Sequence, residues 1–207
     1  IFVINGFYMD MRSQYTAPGR CIHYIEAEWD PKQVSWEIFR RQIVGATDPT
    51  AAEAGSMRNI VFAEWTQLGL PQTPDTGSNG VHASASPFEA LVERANWMGI
   101  PLPSDPYCRA MVAAGIPLAM IEHWTSNPDV TFEGQRYALF DLLEDLDSKQ
   151  CLQRIIAVAS EFDNALPEGT QAVNAPIPLE QRLADLEIVN GYSTHSAFTF
   201  IKPHAVN

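Results

Sequence analysis

The chain has 207 residues, enough to bury a core in one domain or in one domain with a helical appendage. With 46% hydrophobic and 18% charged residues it has too much to bury for intrinsic disorder. A formal charge of −12 argues against nucleic acid or an anionic membrane surface as the main partner, since both reward clustered Lys and Arg, so a bound anion would rely on a few placed cations.

The opening Ile1-Phe2-Val3-Ile4 is β-branched and apolar and predicts a short strand closed by Asn5-Gly6. It lacks an initiating Met and looks like the middle of a domain, as in a processed product or a fragment. Phe7, Tyr8, Met11 and Tyr15 have helical spacing, and Pro18-Gly19 ends that helix. Cys21 to Trp29 alternates as a strand, and Asp30-Pro31 turns the chain. Ser35 caps a helix over 36–44 with Trp36, Phe39 and Ile43 as its buried stripe, Arg40 and Arg41 on a solvated edge, and Gly45 as its stop.

Residues 45–59 show no apolar period and predict a long ordered loop, a kind of segment that often carries function. Ile60 to Ala63 fits either a strand or a helical turn, and the Pro, Gly, Asp and Ser content of 69–80 predicts a loop. Gly80-Val81 then ends an extended segment. Ser86-Pro87-Phe88-Glu89 opens a helix to about Met98, with Ser as N-cap, Pro at the first position and Gly99 as the stop. His82 therefore sits at a strand-to-helix junction among the small residues Ala83, Ser84 and Ala85, before a helix N-terminus that favours an anion. Glu89 and Glu93 share one face of that helix.

Beyond residue 101 the chain reads as mostly helical. Tyr107 to Trp124 is interrupted at Pro117, and Tyr137 to Phe162 carries one long stripe through Leu139, Leu142, Leu143, Leu146, Leu152, Ile155, Ile156 and Ala159. A linker over 164–178, a short helix over 179–189 and a strand at Phe198 to Ile201 complete the order. Pro203 keeps Lys202 extended at that strand's end. The longest apolar run, Met111 to Ile121, contains Gly115 and Pro117 and is too short to span a bilayer. Cys21, Cys108 and Cys151 are odd in number and widely spaced, which predicts buried thiols in a reducing intracellular compartment, cytoplasm or organelle.

Three ordered motifs carry a resemblance. Arg41 to Pro49, Gly55-Ser56-Met57-Arg58, and Asn79-Gly80-Val81-His82-Ala83-Ser84 together resemble the nucleoside diphosphate kinase family, and Phe198 to Val206 resembles that family's opening strand with its Lys-Pro-Asp-Ala motif. The order differs: the opening strand comes last, His204 replaces its Asp, Ala85 stands where Asp is usual, and residues 101–190 match nothing in the family. The resemblance implies an α/β fold with a ferredoxin-like antiparallel sheet, permuted or incomplete. Its core would span 1–100, with a helical insertion and linker over 101–190 and the returning strand over 191–207.

It further implies that His82 accepts the phosphate, Glu93 orients its ring and Ser84 supports both. Arg41, Thr47 and Arg58 would hold nucleotide phosphates, Asn79 the sugar, and Lys202 sugar and phosphates. Phosphate would pass from a nucleoside triphosphate to His82 and on to a diphosphate, with Mg²⁺ carried on the nucleotide phosphates. The missing sheet elements imply a homo-oligomer or a larger complex that supplies them. Two other readings stand beside this one: a kinase-like structural or nucleotide-sensing subunit with little or no catalysis, and a ferredoxin-like regulatory domain whose Arg41, Arg58 and Lys202 make structural ion pairs.

Overall fold

The computed structural model describes residues 6–164, 195–202 and 205. It is mixed α/β, with small antiparallel sheets and helices. The expected strand at 1–4, helix at 179–189, the linker beyond Asn164 and His204 lie outside the described residues. No helix among the described residues is long and apolar enough to cross a membrane.

Contacts divide the chain into two units: Ile1–Ala27, Glu37–Ala83 and Phe198–Asn207 form the first, Glu28–Trp36 and Ser84–Ala197 the second. The first holds α1 (Gly6–Thr16), most of β1 (His23–Trp29), all but the first residue of α2 (Trp36–Ile38) with the π-helix that continues it (Phe39–Val44), α3 (Met57–Ala63), β2 (Val81–Ala83) and the end of β5 (His195–Ile201). The sheet order is β1-β5-β2. β2 and β5 run antiparallel, pairing Val81 with Ile201, His82 with Phe200 and Ala83 with Thr199. The last strand of the sequence is thus the central one, and its Phe198 and Phe200 are buried. Tyr24 of β1 stacks on Phe198 at 5.6 Å, and the edge of Tyr15 meets Phe200 at 6.2 Å.

Two details of this unit depart from the sequence reading. The helix over 36–44 widens into a π-helix, whose i→i+5 bonds rotate later side chains off the 3.6-residue stripe. Ile43 is therefore 40% exposed, and Val44 takes the buried place expected for it. The loop after Gly45 is also shorter than expected. Ser56 accepts from the Asn59 amide and caps α3, so Ile60 to Ala63 is helical.

The second unit is built on α4 (Pro87–Met98), a 3₁₀ turn (Leu102–Ser104), α5 (Pro106–Ala113), α6 (Leu118–Trp124), the hairpin β3 (Asp129–Phe132) and β4 (Gln135–Ala138), α7 (Leu139–Leu143) and α8 (Ser148–Asn164). Phe88, Leu91, Met111, Ile121, Leu139, Leu143, Ile155 and Ile156 lie in one apolar core with almost no exposed surface. Burial of such side chains stabilises by about 1.5–3 kcal/mol each before entropy is counted. α4 follows its sequence signals: Ser86 Oγ accepts from the Glu89 amide, Pro87 leads, and Gly99 ends the helix at φ 68°.

The long stripe from Tyr137 to Phe162 is not one helix. Tyr137 lies in β4, and the chain breaks between α7 and α8, where Asp145 has φ 61°. The Asp147 carbonyl accepts the Cys151 amide, and Gln150 Oε1 accepts the Asp147 amide at 3.3 Å, a side-chain cap that starts α8 afresh. A buried ion pair joins α4 to the turn before α5: Arg94 meets Asp105 Oδ2 at 2.8 Å and also donates to the Ser196 carbonyl.

Candidate functional site

In the first unit, the pairing of β2 with β5 brings Lys202 next to the segment that leads to His82, within one chain. The Lys202 amide donates to the Gly80 carbonyl at 2.9 Å, continuing the ladder one step past Ile201. Its Nζ reaches the Gly77 carbonyl at 3.4 Å. Gly80 makes this approach possible: its φ is 84°, and a Cβ there would come within 2.8 Å of Val61 Cγ1.

His82 is the middle residue of β2 and half-buried. Its ring stacks on the cross-strand Phe200, with centroids 4.6 Å apart and planes 29° from parallel, so a buried aromatic sets the imidazole's orientation.

Arg58 stands in the first turn of α3. Nη1 donates to the Gly45 carbonyl at 2.7 Å, and Nε and Nη2 donate to the Val81 carbonyl at 3.3 and 3.1 Å. One N–H on each terminal nitrogen is left over from these bonds. Burial, with the nearby charge of Arg40, lowers its pKa to about 10. Burial and then Arg58 itself lower Lys202 to about 8, opposed by Asp75. Arg40, Arg58 and Lys202 thus form a string of partly buried like charges, and an anion beside them would favour their charged forms.

Asn79 joins the two loops that flank this string. It is 1% exposed, and its Nδ2 donates to the carbonyls of Thr47 at 3.0 Å and Thr76 at 3.4 Å. Its Oδ1 is buried with no hydrogen-bond partner among the described residues. Thr47 is exposed and meets Asn79 through its carbonyl. Asp75 folds the second loop by accepting the amides of Gly77 and Ser78 at 2.9 and 2.7 Å.

Arg41 is placed differently from the other expected cations. Its side chain is 75% exposed and lies 3.9 Å from Glu37 of its own helix, whereas Arg40 is the arginine whose charge reaches Arg58. Arg40 and Asp75 escaped the sequence reading. The turn residues Asp75-Thr76-Gly77 were a signal for the second, but nothing in a 3.6-residue period marks the first.

Ser84 and Glu93 belong to the second unit. Ser84 is fully buried; its Oγ donates to Glu93 Oε2 at 2.6 Å, and its carbonyl accepts from the Trp36 indole at 3.1 Å. One turn earlier on α4, Glu89 Oε2 accepts the Ala85 amide at 2.6 Å. Two carboxylates spaced i, i+4 thus hold the two residues that enter the helix, and the short O–H···O⁻ bond fixes the Glu93 carboxylate.

Comparison with protein-family models, with curated proteins and with solved structures finds no match to this chain.

Proposed function

We propose that the chain is a nucleoside diphosphate kinase-like phosphotransferase that moves the terminal phosphate of a nucleoside triphosphate to a diphosphate through a phosphohistidine at His82. The observation that carries this reading is that Lys202 and Arg58 hydrogen-bond the neighbouring carbonyls of Gly80 and Val81, on the segment that carries His82. A partly buried lysine whose charge is opposed by Arg58 is what a polyphosphate would relieve, and a loose phosphoryl-transfer transition state spreads charge that such groups stabilise. The sheet supports a permuted relative of that family's fold, with the Lys202 strand at its centre.

His82 would attack the terminal phosphorus with the nucleoside diphosphate as leaving group, and a second diphosphate would take the phosphoryl group back. The Phe200 stack fixes the ring plane, and Glu93, held by Ser84, is the residue the resemblance assigns to orienting the imidazole. Arg40, Arg58 and Lys202 would hold phosphate oxygens, and Asn79 is the residue the resemblance assigns to the sugar. Mg²⁺ would arrive on the nucleotide, chelated by its phosphates, as the resemblance implies.

One observation favours a second reading, a structural or nucleotide-sensing subunit. Arg58 spends three N–H groups on backbone carbonyls, as a structural arginine does. Tyr24 and Ile25 on β1, 50% and 60% exposed, would suit a further chain in a homo-oligomer or larger complex. Turnover decides between the two: purified chain with Mg·ATP and a second nucleoside diphosphate yields the new triphosphate on the first reading and none on the second, with His82→Ala as control.

A further inference from the structure

The second unit contains a buried imidazole that the proposed reaction does not use. His195, the first residue of β5, is 1% exposed, and both its ring nitrogens are engaged. Nδ1 lies 2.8 Å from Ser148 Oγ, and Nε2 lies 2.9 Å from Asp147 Oδ1. That carboxylate oxygen also accepts the Trp36 amide at 2.7 Å. The rings of Trp29 and Trp36 stand nearly perpendicular to the imidazole, with centroids at 5.3 and 5.4 Å. One carboxylate–imidazole pair therefore joins the starts of α2, α8 and β5.

We propose that His195 is a protonation switch: the neutral ring locks these three starts to Asp147 and Ser148, and a proton on the ring unlocks them. The hydrogen bonds dictate the tautomer. Asp147 can only accept, so Nε2 carries the hydrogen and Nδ1 accepts from the Ser148 hydroxyl. A proton added at Nδ1 turns that acceptor into a donor. Ser148 Oγ must then receive a hydrogen bond, and its own hydroxyl hydrogen loses its partner in a buried place.

The charged groups facing the ring are Asp147, from the α7–α8 connection, and Asp30, from the turn after β1. Arg94, paired with Asp105, reaches the adjacent Ser196. Burial outweighs both acids and lowers the pKa of His195 below its ordinary value. A depressed folded pKa means that the unfolded chain binds the proton more readily. The contribution to stability is therefore complete above the unfolded value of about 6.5 and is lost as pH falls through the folded value. The Asp147 side chain, 30% exposed, gives the proton a way in from solvent.

The test is long-range proton–nitrogen NMR of the His195 ring, with hydrogen exchange at the Trp36 amide, in the full chain from about pH 8 to about pH 5. The expected result is the Nε2–H tautomer at the upper end, conversion to the doubly protonated ring with a midpoint below about 6.5, and at least about tenfold faster Trp36 exchange across the same range after correction for intrinsic chemistry. Asp147→Asn should move the midpoint lower still, and His195→Gln should abolish the pH step at Trp36. A ring that titrates while Trp36 exchange stays flat, or a step that persists in His195→Gln, would overturn the switch.

Discussion

The amide of Lys202 donates to the carbonyl of Gly80, two residues before His82, at 2.9 Å. This one bond fixes the cation on the strand beside the proposed nucleophile. The lysine is then close enough to Arg58 for the guanidinium to oppose its charge.

The charge state of Lys202 predicts a pH profile for anion binding. Its pKa is lowered to about 8 by burial and then by Arg58, so the free protein loses this positive charge as pH rises through that value. Affinity for Mg·ATP, measured by calorimetry, should fall by up to about tenfold per unit above about pH 8. Lys202→Arg, which stays charged, should flatten the fall. The sign for stability is opposite: with the folded pKa below the unfolded one, this group's contribution grows as pH rises from about 8 towards 10.5.

Arg58 should matter to stability even without a ligand, because its fork ties Gly45 to Val81. Arg58→Met is expected to cost about 2–3 kcal/mol in urea unfolding, from charge-assisted bonds lost and two carbonyls left with fewer donors. Arg58→Lys should recover less than half, since an ammonium cannot span both carbonyls.

Gly80 and Val61 should be energetically coupled. Gly80→Ala combines a positive φ with a clash against Val61 Cγ1, and about 2 kcal/mol of destabilisation is expected. Val61→Ala removes the clashing carbon, so the double variant should be more stable than additivity predicts by about 0.5–1 kcal/mol, and a double-mutant cycle checks it.

The cysteines should separate by reactivity. Cys21 is exposed, which corrects the expectation of three buried thiols, while Cys108 and Cys151 are buried. Burial raises Cys108 and pushes Cys151 to about 12, so neither supplies thiolate near neutrality. A thiol reagent on native protein should modify Cys21 alone, and the other two only on unfolding; rapid modification of Cys151 would contradict its place beside Tyr107 and Phe88.

Local chemistry was legible in the sequence wherever one residue decides a backbone event. Ser86, Pro87 and Gly99 mark both ends of α4, and the alternation from Cys21 to Trp29 marks β1. Events set by hydrogen-bond geometry between segments were not. The π-helix that exposes Ile43 leaves no trace in a 3.6-residue period, and neither does the charge of Arg40 acting on Arg58 while Arg41 pairs with Glu37. The β3–β4 hairpin turns on Glu133 and Gly134, both at positive φ, a two-residue signal hidden between helical stretches. Of the candidate residues, the sequence pointed to Arg58, Asn79, His82 and Lys202, which the first unit gathers around β2. His195 had no signal at all, since its partners lie 47 and 48 positions away.

The most direct measurement of the central claim is the phosphate content of the chain after brief exposure to Mg·ATP labelled in its terminal phosphate. The account predicts about one acid-labile, base-stable phosphate per active chain on His82, none on His82→Ala, and slower labelling of Lys202→Ala. A folded wild-type chain that binds nucleotide yet takes up no label, or that carries its label in His82→Ala, would contradict it.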